Sequence, residues 1–204
     1  MIHFSIRLFL LPVSLTVGSA LLSGCQSLTP PPIVAKAGPT EAAIQKLRFA
    51  CSGKLFIRYS MQGKEQQLPG RFDWTQSENS LDIQLYSSPL GQTVARIHEE
   101  GGQAILEQPG KSSISSENLD QLLLEVLRYP FPVSGMKEWL HARVKNPDGQ
   151  AVTLSPEDQT VEQDGWKLRF VSWYAAGKPK RIDISRYTEQ AGEVIIQLVL
   201  DAEE

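Results

Sequence analysis

Residues 71–85 read Arg-Phe-Asp-Trp-Thr-Gln-Ser-Glu-Asn-Ser-Leu-Asp-Ile-Gln-Leu, and apolar side chains alternate with polar ones near both ends. The apolar positions of this alternation are Phe72, Trp74, Leu81, Ile83 and Leu85. Successive side chains of a β-strand point to opposite faces, so a period of two predicts half-buried strands. We therefore expect an antiparallel sheet with one apolar face and one face in water.

The same alternation continues on both sides of this stretch. Upstream it includes Leu55, Ile57 and Tyr59, and downstream two strands are expected to meet across Gly101-Gly102, a hairpin signal. Further strands are predicted at residues 151–154, 160–163, 166–174, 181–186 and 193–200. About ten strands are too many for one flat sheet, so the sheet is expected to curl.

Two short helices are predicted between the two groups of strands. In the first, capped by Ser115 or Ser116, apolar residues recur at helical spacing from Leu119 to Leu127. The second, capped by Ser134, places Met136, Trp139 and Leu140 on one side. The predicted fold is mostly β with a few helices: a curled antiparallel sheet that forms an open half-barrel, with the helices over its apolar concave face. The sequence pattern alone agrees with two alternatives for that face: it packs against the protein's own side chains, or it binds a ligand.

The amino terminus has the pattern of a cleaved secretory signal. Residues 1–24 contain one basic residue, Arg7, followed by an apolar run, and end in Leu22-Ser23-Gly24 before Cys25. Leu-Ser-Gly-Cys resembles the lipobox of bacterial lipoproteins, in which the cysteine carries an S-diacylglycerol and an N-acyl group. In lipoproteins of this type, an aspartate directly after the cysteine resembles a signal for retention in the inner membrane. This chain has Gln26 at that position, which favours the outer membrane, with the protein facing the periplasm.

Residues 25–39 are predicted to form a lipidated, Pro-rich tether. Pro30-Pro31-Pro32 and Pro39 fall in a stretch without apolar periodicity, which is typical of an extended linker. Residues 40–204 are expected to form a single domain, which begins with a short helix from Thr40 to Arg48.

The composition of the mature chain gives no support for nucleic-acid binding and leaves one unmodified cysteine. Residues 25–204 contain 19 basic and 23 acidic residues, so nothing favours nucleic-acid binding through phosphate charge. Apart from Cys25 the chain has one cysteine, Cys51, which is expected to be a buried structural thiol.

Motifs for chemistry are absent from the sequence. The two histidines of the mature chain, His98 and His141, belong to no metal-binding spacing, and no Gly-x-Ser-x-Gly motif occurs. The Glu99-Glu100 pair is expected to be solvated. We predict no catalytic residues, no metal and no cofactor other than the lipid on Cys25, although an unrecognised enzyme site stays an alternative.

A series of motifs in order resembles the LolB family of outer membrane lipoprotein insertion proteins. These motifs are Gly53, Phe72-x-Trp74, Ile83-x-Leu85, Pro89-Leu90-Gly91, Pro130-x-Pro132, Trp139-Leu140, Trp166 and Tyr174. The resemblance implies a LolA/LolB-like half-barrel that receives lipoproteins from the periplasmic carrier LolA and inserts their acyl chains into the outer membrane. One departure is Ala142, where the family tends to have glycine.

The resemblance also implies functional residues. Pro89, Leu90 and Gly91 would form a protruding, membrane-facing loop, although Leu90 could instead fold back onto the sheet. The lining of an acyl-chain cavity would include Phe72, Trp74, Ile83, Leu85, Trp166, Leu168, Phe170 and Ile184. The expected partners are a LolA-like carrier and client lipoproteins, and the protein itself is expected to be a monomer. The alternative is a structural or assembly lipoprotein with a closed core that binds proteins rather than lipid.

Replacement of Cys25 by alanine tests the anchor. We expect Cys25→Ala to leave a folded protein in the soluble periplasmic fraction, because acyl chains hold the protein on the membrane and the tether adds nothing to the core. Cell fractionation and circular dichroism measure the two properties, and Cys51→Ala, which should stay on the membrane, is the matched control. Membrane retention of Cys25→Ala would contradict the lipobox prediction.

Overall fold

A computed structural model describes residues 48–61, 63–175, 177–189 and 191–202. All of them belong to a compact unit formed by Pro39–Glu204. The predicted signal segment, Cys25, the tether and the predicted helix up to residue 47 lie outside the described residues.

The described residues form twelve strands and two helices. The elements are β1 (Phe49–Met61), β2 (Lys64–Gln76), β3 (Ser80–Ser87), β4 (Thr93–Glu100), β5 (Gln103–Glu107), β6 (Ile114–Ser116), α1 (Leu119–Leu127), α2 (Val133–Trp139), β7 (Arg143–Lys145), β8 (Ala151–Thr153), β9 (Gln159–Gln163), β10 (Trp166–Trp173), β11 (Pro179–Thr188) and β12 (Gly192–Leu200). Ten strands form one antiparallel sheet in the order β6-β5-β4-β3-β2-β1-β12-β11-β10-β9, and β7 pairs with β8 in a second sheet. Nine of the ten predicted strands belong to the ten-stranded sheet, and its tenth strand, β6, was not predicted.

The pairing of β1 with β12 joins two meanders, one before the helices and one after them. Leu55 pairs with Leu198 and Ile57 with Ile196, so apolar residues meet across this central ladder. On its other side β1 pairs with β2 along its whole length. The apolar face is therefore continuous from one meander to the other.

The sheet is curled into an open half-barrel. A flat sheet of ten strands would be about 43 Å wide at ~4.8 Å per strand spacing. Yet the segment between β6 and β8 reaches both edges: α1 contacts β5 and β6, and β7 contacts β9. The backbone N–H of Lys145 on β7 donates to Gln163 Oε1 on β9 over 2.9 Å. The edges β6 and β9 do not pair with each other, which confirms the predicted open half-barrel under short helices.

The predicted helix caps are wrong at both helices. Ser115 and Ser116 lie in β6, where their backbones pair with Ile105 and Ala104. Asn118 is the cap of α1, and its Oδ1 accepts from the N–H of Gln121 over 2.8 Å. Pairing with β5 satisfies the backbone of both serines, so the helix begins after the strand ends.

Ser134 is likewise not a cap, because α2 begins one residue earlier, at Val133. The hydroxyl of Ser134 instead donates to Asp120 Oδ2 over 2.6 Å and so connects the two helices. The helix ends at Trp139, and Ala142 adopts a left-handed conformation with a φ of 56°. This conformation favours glycine, which is the residue that the LolB family tends to have where this chain has Ala142.

The strand predicted at residues 151–154 does not join the main sheet. It forms β8 and pairs with β7, a three-residue strand that the sequence analysis did not predict. Arg143–Lys145 is too short to show a period of two, so its sequence carried no usable signal.

Gly53 allows a close backbone approach in the central ladder, so substitution of this glycine tests the fold. A side chain at this position would bring its Cβ within 2.4 Å of Val199 O and 3.1 Å of Phe72 Cε1. We expect Gly53→Val to lower the free energy of unfolding by about 2 kcal/mol or more, measured by urea denaturation, because strands β1 and β12 must separate. Lys54→Val, at the exposed neighbouring position, should change it by less than about 0.5 kcal/mol. Equal stability of both variants would contradict the close approach.

Candidate functional site

The eight residues predicted to line an acyl-chain cavity lie on one face of the sheet, in two groups. On one side, Phe72 pairs with Leu85 and Trp74 with Ile83 across β2 and β3. On the other side, Leu168 pairs with Ile184 across β10 and β11. Trp166 and Phe170 occupy alternate positions on β10, next to Leu168. The central strands β1 and β12 lie between the groups, so the two halves face each other across the curl.

This concave face is covered by side chains of the two helices. Seven of the eight residues are buried, and Leu85 is half-buried against the same core. The helices contribute Leu119, Leu122, Leu123, Val133, Met136 and Trp139 to that core. A ligand that reaches the concave face must therefore displace helix side chains.

Few polar contacts hold the helices in place. Lys137 of α2 forms a salt bridge with Glu99 of β4, and Glu99 is 17% exposed. The prediction that the Glu99-Glu100 pair is solvated is therefore wrong for Glu99, because the sheet curls and brings β4 under α2. It is confirmed for Glu100, whose side chain is 73% exposed. Since the helices have only nine and seven residues, most of their stability comes from the apolar contacts with the sheet.

Two grooves beside the helices reach residues of the predicted cavity. The larger, of about 970 Å³, is lined by Trp74 together with Phe49, Cys51, Leu140, His141 and Tyr174. The smaller, of about 410 Å³, lies between α1, α2 and the β9–β10 turn and is lined by Trp139 and Trp166. Each groove thus leads from the surface to one residue of the predicted cavity. Cys51 is half-buried rather than buried, because it lies at the rim of the larger groove.

An aromatic contact shapes the rim of the larger groove. The ring of His141 lies 3.9 Å from that of Phe49, between centroids. Burial lowers the pKa of His141, so the imidazole is neutral at neutral pH and adds no charge to the groove. His141 was not predicted to belong to a site, because Phe49, whose ring it contacts, is distant in sequence.

The loop between β3 and β4 projects a leucine into solvent. The N–H of Gly91 donates to Ser87 O, and the N–H of Ser87 donates to Gln92 O, both over 2.9 Å. Gly91 has a φ of 66°, which favours glycine. Leu90, at the tip, is 75% exposed, so it does not fold back onto the sheet.

Leu90 belongs to an uncharged loop next to another exposed apolar residue. No charged residue occurs from Ser87 to Ala95. Leu68 is 47% exposed and lies two residues before Gly70, which pairs with Ser87 at the base of the loop. Leu68 was not among the predicted site residues, although it lies on the same face of β2 as Phe72 and this period of two was a usable signal.

Charged groups with shifted pKa values pair at the surface of the domain. A hydrogen bond from Arg169 lowers the pKa of Asp158, and one from Arg143 lowers the pKa of Glu138. A hydrogen bond to Asp82 raises the pKa of His98. Within the described ranges, no three His, Cys, Asp or Glu residues are grouped as a metal site requires. Neither described helix has the length and apolar composition of a membrane crossing.

Comparison with known proteins gives consistent matches. A family model described as outer membrane lipoprotein LolB matches residues 48–202, which are also the first and last described residues. The outer-membrane lipoprotein LolB of Ralstonia nicotianae is 31% identical over 201 residues, covering 92% of this chain and 93% of the relative. That of Thiobacillus denitrificans is 32% identical over 167 residues, covering 81% and 84%.

A crystal structure of a LolA superfamily protein from Nitrosomonas europaea aligns with a TM-score of 0.37 and 12% identity, covering 81% of this chain and 93% of that chain. The family match extends over the whole described domain, and the alignment with the Ralstonia nicotianae relative covers most of the chain. The chain therefore belongs to the LolB family of outer membrane lipoproteins.

Proposed function

We propose that this protein, anchored through acylated Cys25, receives lipoproteins from a LolA-like carrier and inserts their acyl chains into the outer membrane without enzymatic chemistry. The observation that carries the proposal is the exposed Leu90, at the tip of an uncharged loop that extends from strands of the apolar concave face. The concave face would hold acyl chains away from water, and the loop with Leu90 would contact the membrane.

Exchange of apolar groups can move an acyl chain without exposing the concave face to water. Each buried chain is stabilised by on the order of 10 kcal/mol, at ~0.8 kcal/mol per CH₂. In this structure the side chains of α1 and α2 occupy the same face. An entering chain would replace them, and the helices would return when the chain leaves. Transfer would then follow affinity, from carrier to this protein to membrane.

The packed core favours a second candidate function, a structural lipoprotein that binds protein partners. With seven of the eight lining residues buried under helices, the sheet could serve only as a scaffold. Binding of an acyl chain to the soluble Cys25→Ala protein separates the two candidates. A core that never opens would bind no acylated peptide.

Leu85→Asp tests the acyl-chain site. Phe72 is buried, so a charge at this position would unfold the domain. Leu85 on the same face is half-buried, so a charge at this position is less destabilising. In the Cys25→Ala protein, we expect Leu85→Asp to weaken binding of a dipalmitoyl lipopeptide at least tenfold, measured by tryptophan fluorescence titration. Gln67→Asp, an exposed position of β2, is the control and should bind normally. Normal binding by a folded Leu85→Asp variant would place the site elsewhere.

Leu90→Glu tests the membrane contact. We expect folding and acceptance from the carrier to be nearly normal, because Leu90 is exposed, but delivery into liposomes to fall at least tenfold, since a carboxylate is excluded from the acyl layer. A two-step transfer assay scores acceptance and delivery separately. Val152→Glu, at an exposed apolar position of β8, is the control. Normal delivery, or a loss of stability of ~2 kcal/mol or more as for a buried leucine, would remove this role from Leu90.

A further inference from the structure

Two polar atoms in the helical cover are buried without a hydrogen-bond partner among the described residues. They are the hydroxyl of Tyr129 and the indole nitrogen of Trp139. The two side chains belong to residues that are 2% and 1% exposed. An unpaired buried donor costs free energy, and folded proteins rarely leave one. These two atoms therefore need an explanation.

Comparable groups elsewhere in the domain have partners. The indole N–H of Trp74, which is 1% exposed, donates to Gln76 Oε1 over 3.1 Å. The hydroxyl of Tyr174 donates to Leu200 O over 2.7 Å. Thr188, the buried polar residue of β11, accepts from the N–H of Ala191 over 3.0 Å. The unpaired donors thus belong to the helical segment and not to the sheet.

Both side chains are held in their positions by specific contacts. Tyr129 follows Arg128, whose φ of 66° ends α1, and its ring lies 4.9 Å from that of Tyr59 on β1, between centroids. Trp139 lies against Gly135, where a Cβ would come within 2.4 Å of the indole ring. Only glycine at position 135 leaves room for this indole. The donors are therefore positioned by the fold.

Both groups are donors at neutral pH. The indole N–H of Trp139 can only donate. Burial raises the pKa of Tyr129, so its hydroxyl keeps its proton. Trp139 also lines the smaller groove, where a ligand can enter. A matching ligand must bring acceptors into an apolar site.

We propose that Tyr129 and Trp139 donate hydrogen bonds to the ester carbonyl oxygens of a diacylglyceryl group bound on the concave face. This inference rests on the proposed function and names the polar part of its ligand. Ester carbonyls accept hydrogen bonds and have no donor, so a wholly apolar cavity would leave them unpaired. Pairing the carbonyls with these two buried, unpaired donors satisfies both partners at once. At the membrane surface, water would replace the two donors.

The test compares two lipopeptides that differ only in their carbonyl groups. One carries an S-diacylglyceryl cysteine with two palmitoyl esters and a free amino terminus. The other carries two hexadecyl chains joined by ether bonds. In the Cys25→Ala protein, we expect Tyr129→Phe to weaken binding of the ester lipopeptide roughly threefold to tenfold and to leave binding of the ether lipopeptide unchanged. The control, Tyr187→Phe, alters an exposed hydroxyl and should change neither.

Stability of the ligand-free protein provides a second readout. Removal of an unpaired hydroxyl should leave the urea midpoint of Tyr129→Phe unchanged or raised, whereas loss of a structural hydrogen bond would lower it. Trp139→Phe leaves a void, so for this variant the ratio of ester to ether affinity is the measurement, and we expect it to fall.

Equal effects of Tyr129→Phe on both lipopeptides, or no effect on either, would overturn the inference and leave the proposed function standing. If neither lipopeptide bound the Cys25→Ala protein, the inference and the proposed function would fail together.

Discussion

The ladder between β1 and β12 is the interaction on which the rest of the domain depends. It joins the first strand of the domain to the last and so connects two meanders that have no other shared hydrogen-bonded strands in the ten-stranded sheet. Leu55 and Ile57 meet Leu198 and Ile196 across it, and Gly53 lets the two backbones approach closely. Because this pairing spans about 140 residues of sequence, it forms only when both meanders are in place, and the curl follows from it.

The curl creates a surface that requires a cover. A concave apolar face exposed to water would be unfavourable, and two helices of nine and seven residues supply the missing contacts. Helices this short depend on packing for their stability, so their contact with the sheet can be exchanged for contact with another apolar group. The unpaired donors of Tyr129 and Trp139 make the closed state less favourable than a fully satisfied core would be.

Polar and apolar features are separated over the domain. Ion pairs such as Arg169 with Asp158 lie at the surface, whereas the β3–β4 loop carries no charge and exposes Leu90. The loop continues strands whose inner residues belong to the core. Under the proposed function, this arrangement places membrane contact and acyl-chain storage on the same pair of strands, so a chain would have a short route between them.

The sequence by itself determined nine strands of the main sheet and their inward faces, the two helices and the uncharged Leu90 turn, because periodicity and turn residues are local signals. It also carried the family resemblance, which the family match confirmed. The tertiary structure alone decided that β1 pairs with β12, that Ser115 and Ser116 extend the sheet, that Glu99 meets Lys137, and that Tyr129 and Trp139 lack partners. Ser115 and Ser116 pair with the nearby strand β5, which satisfies their backbones. The other features depend on residues far apart in the chain, whose meeting is set by how the sheet curls and not by any local pattern.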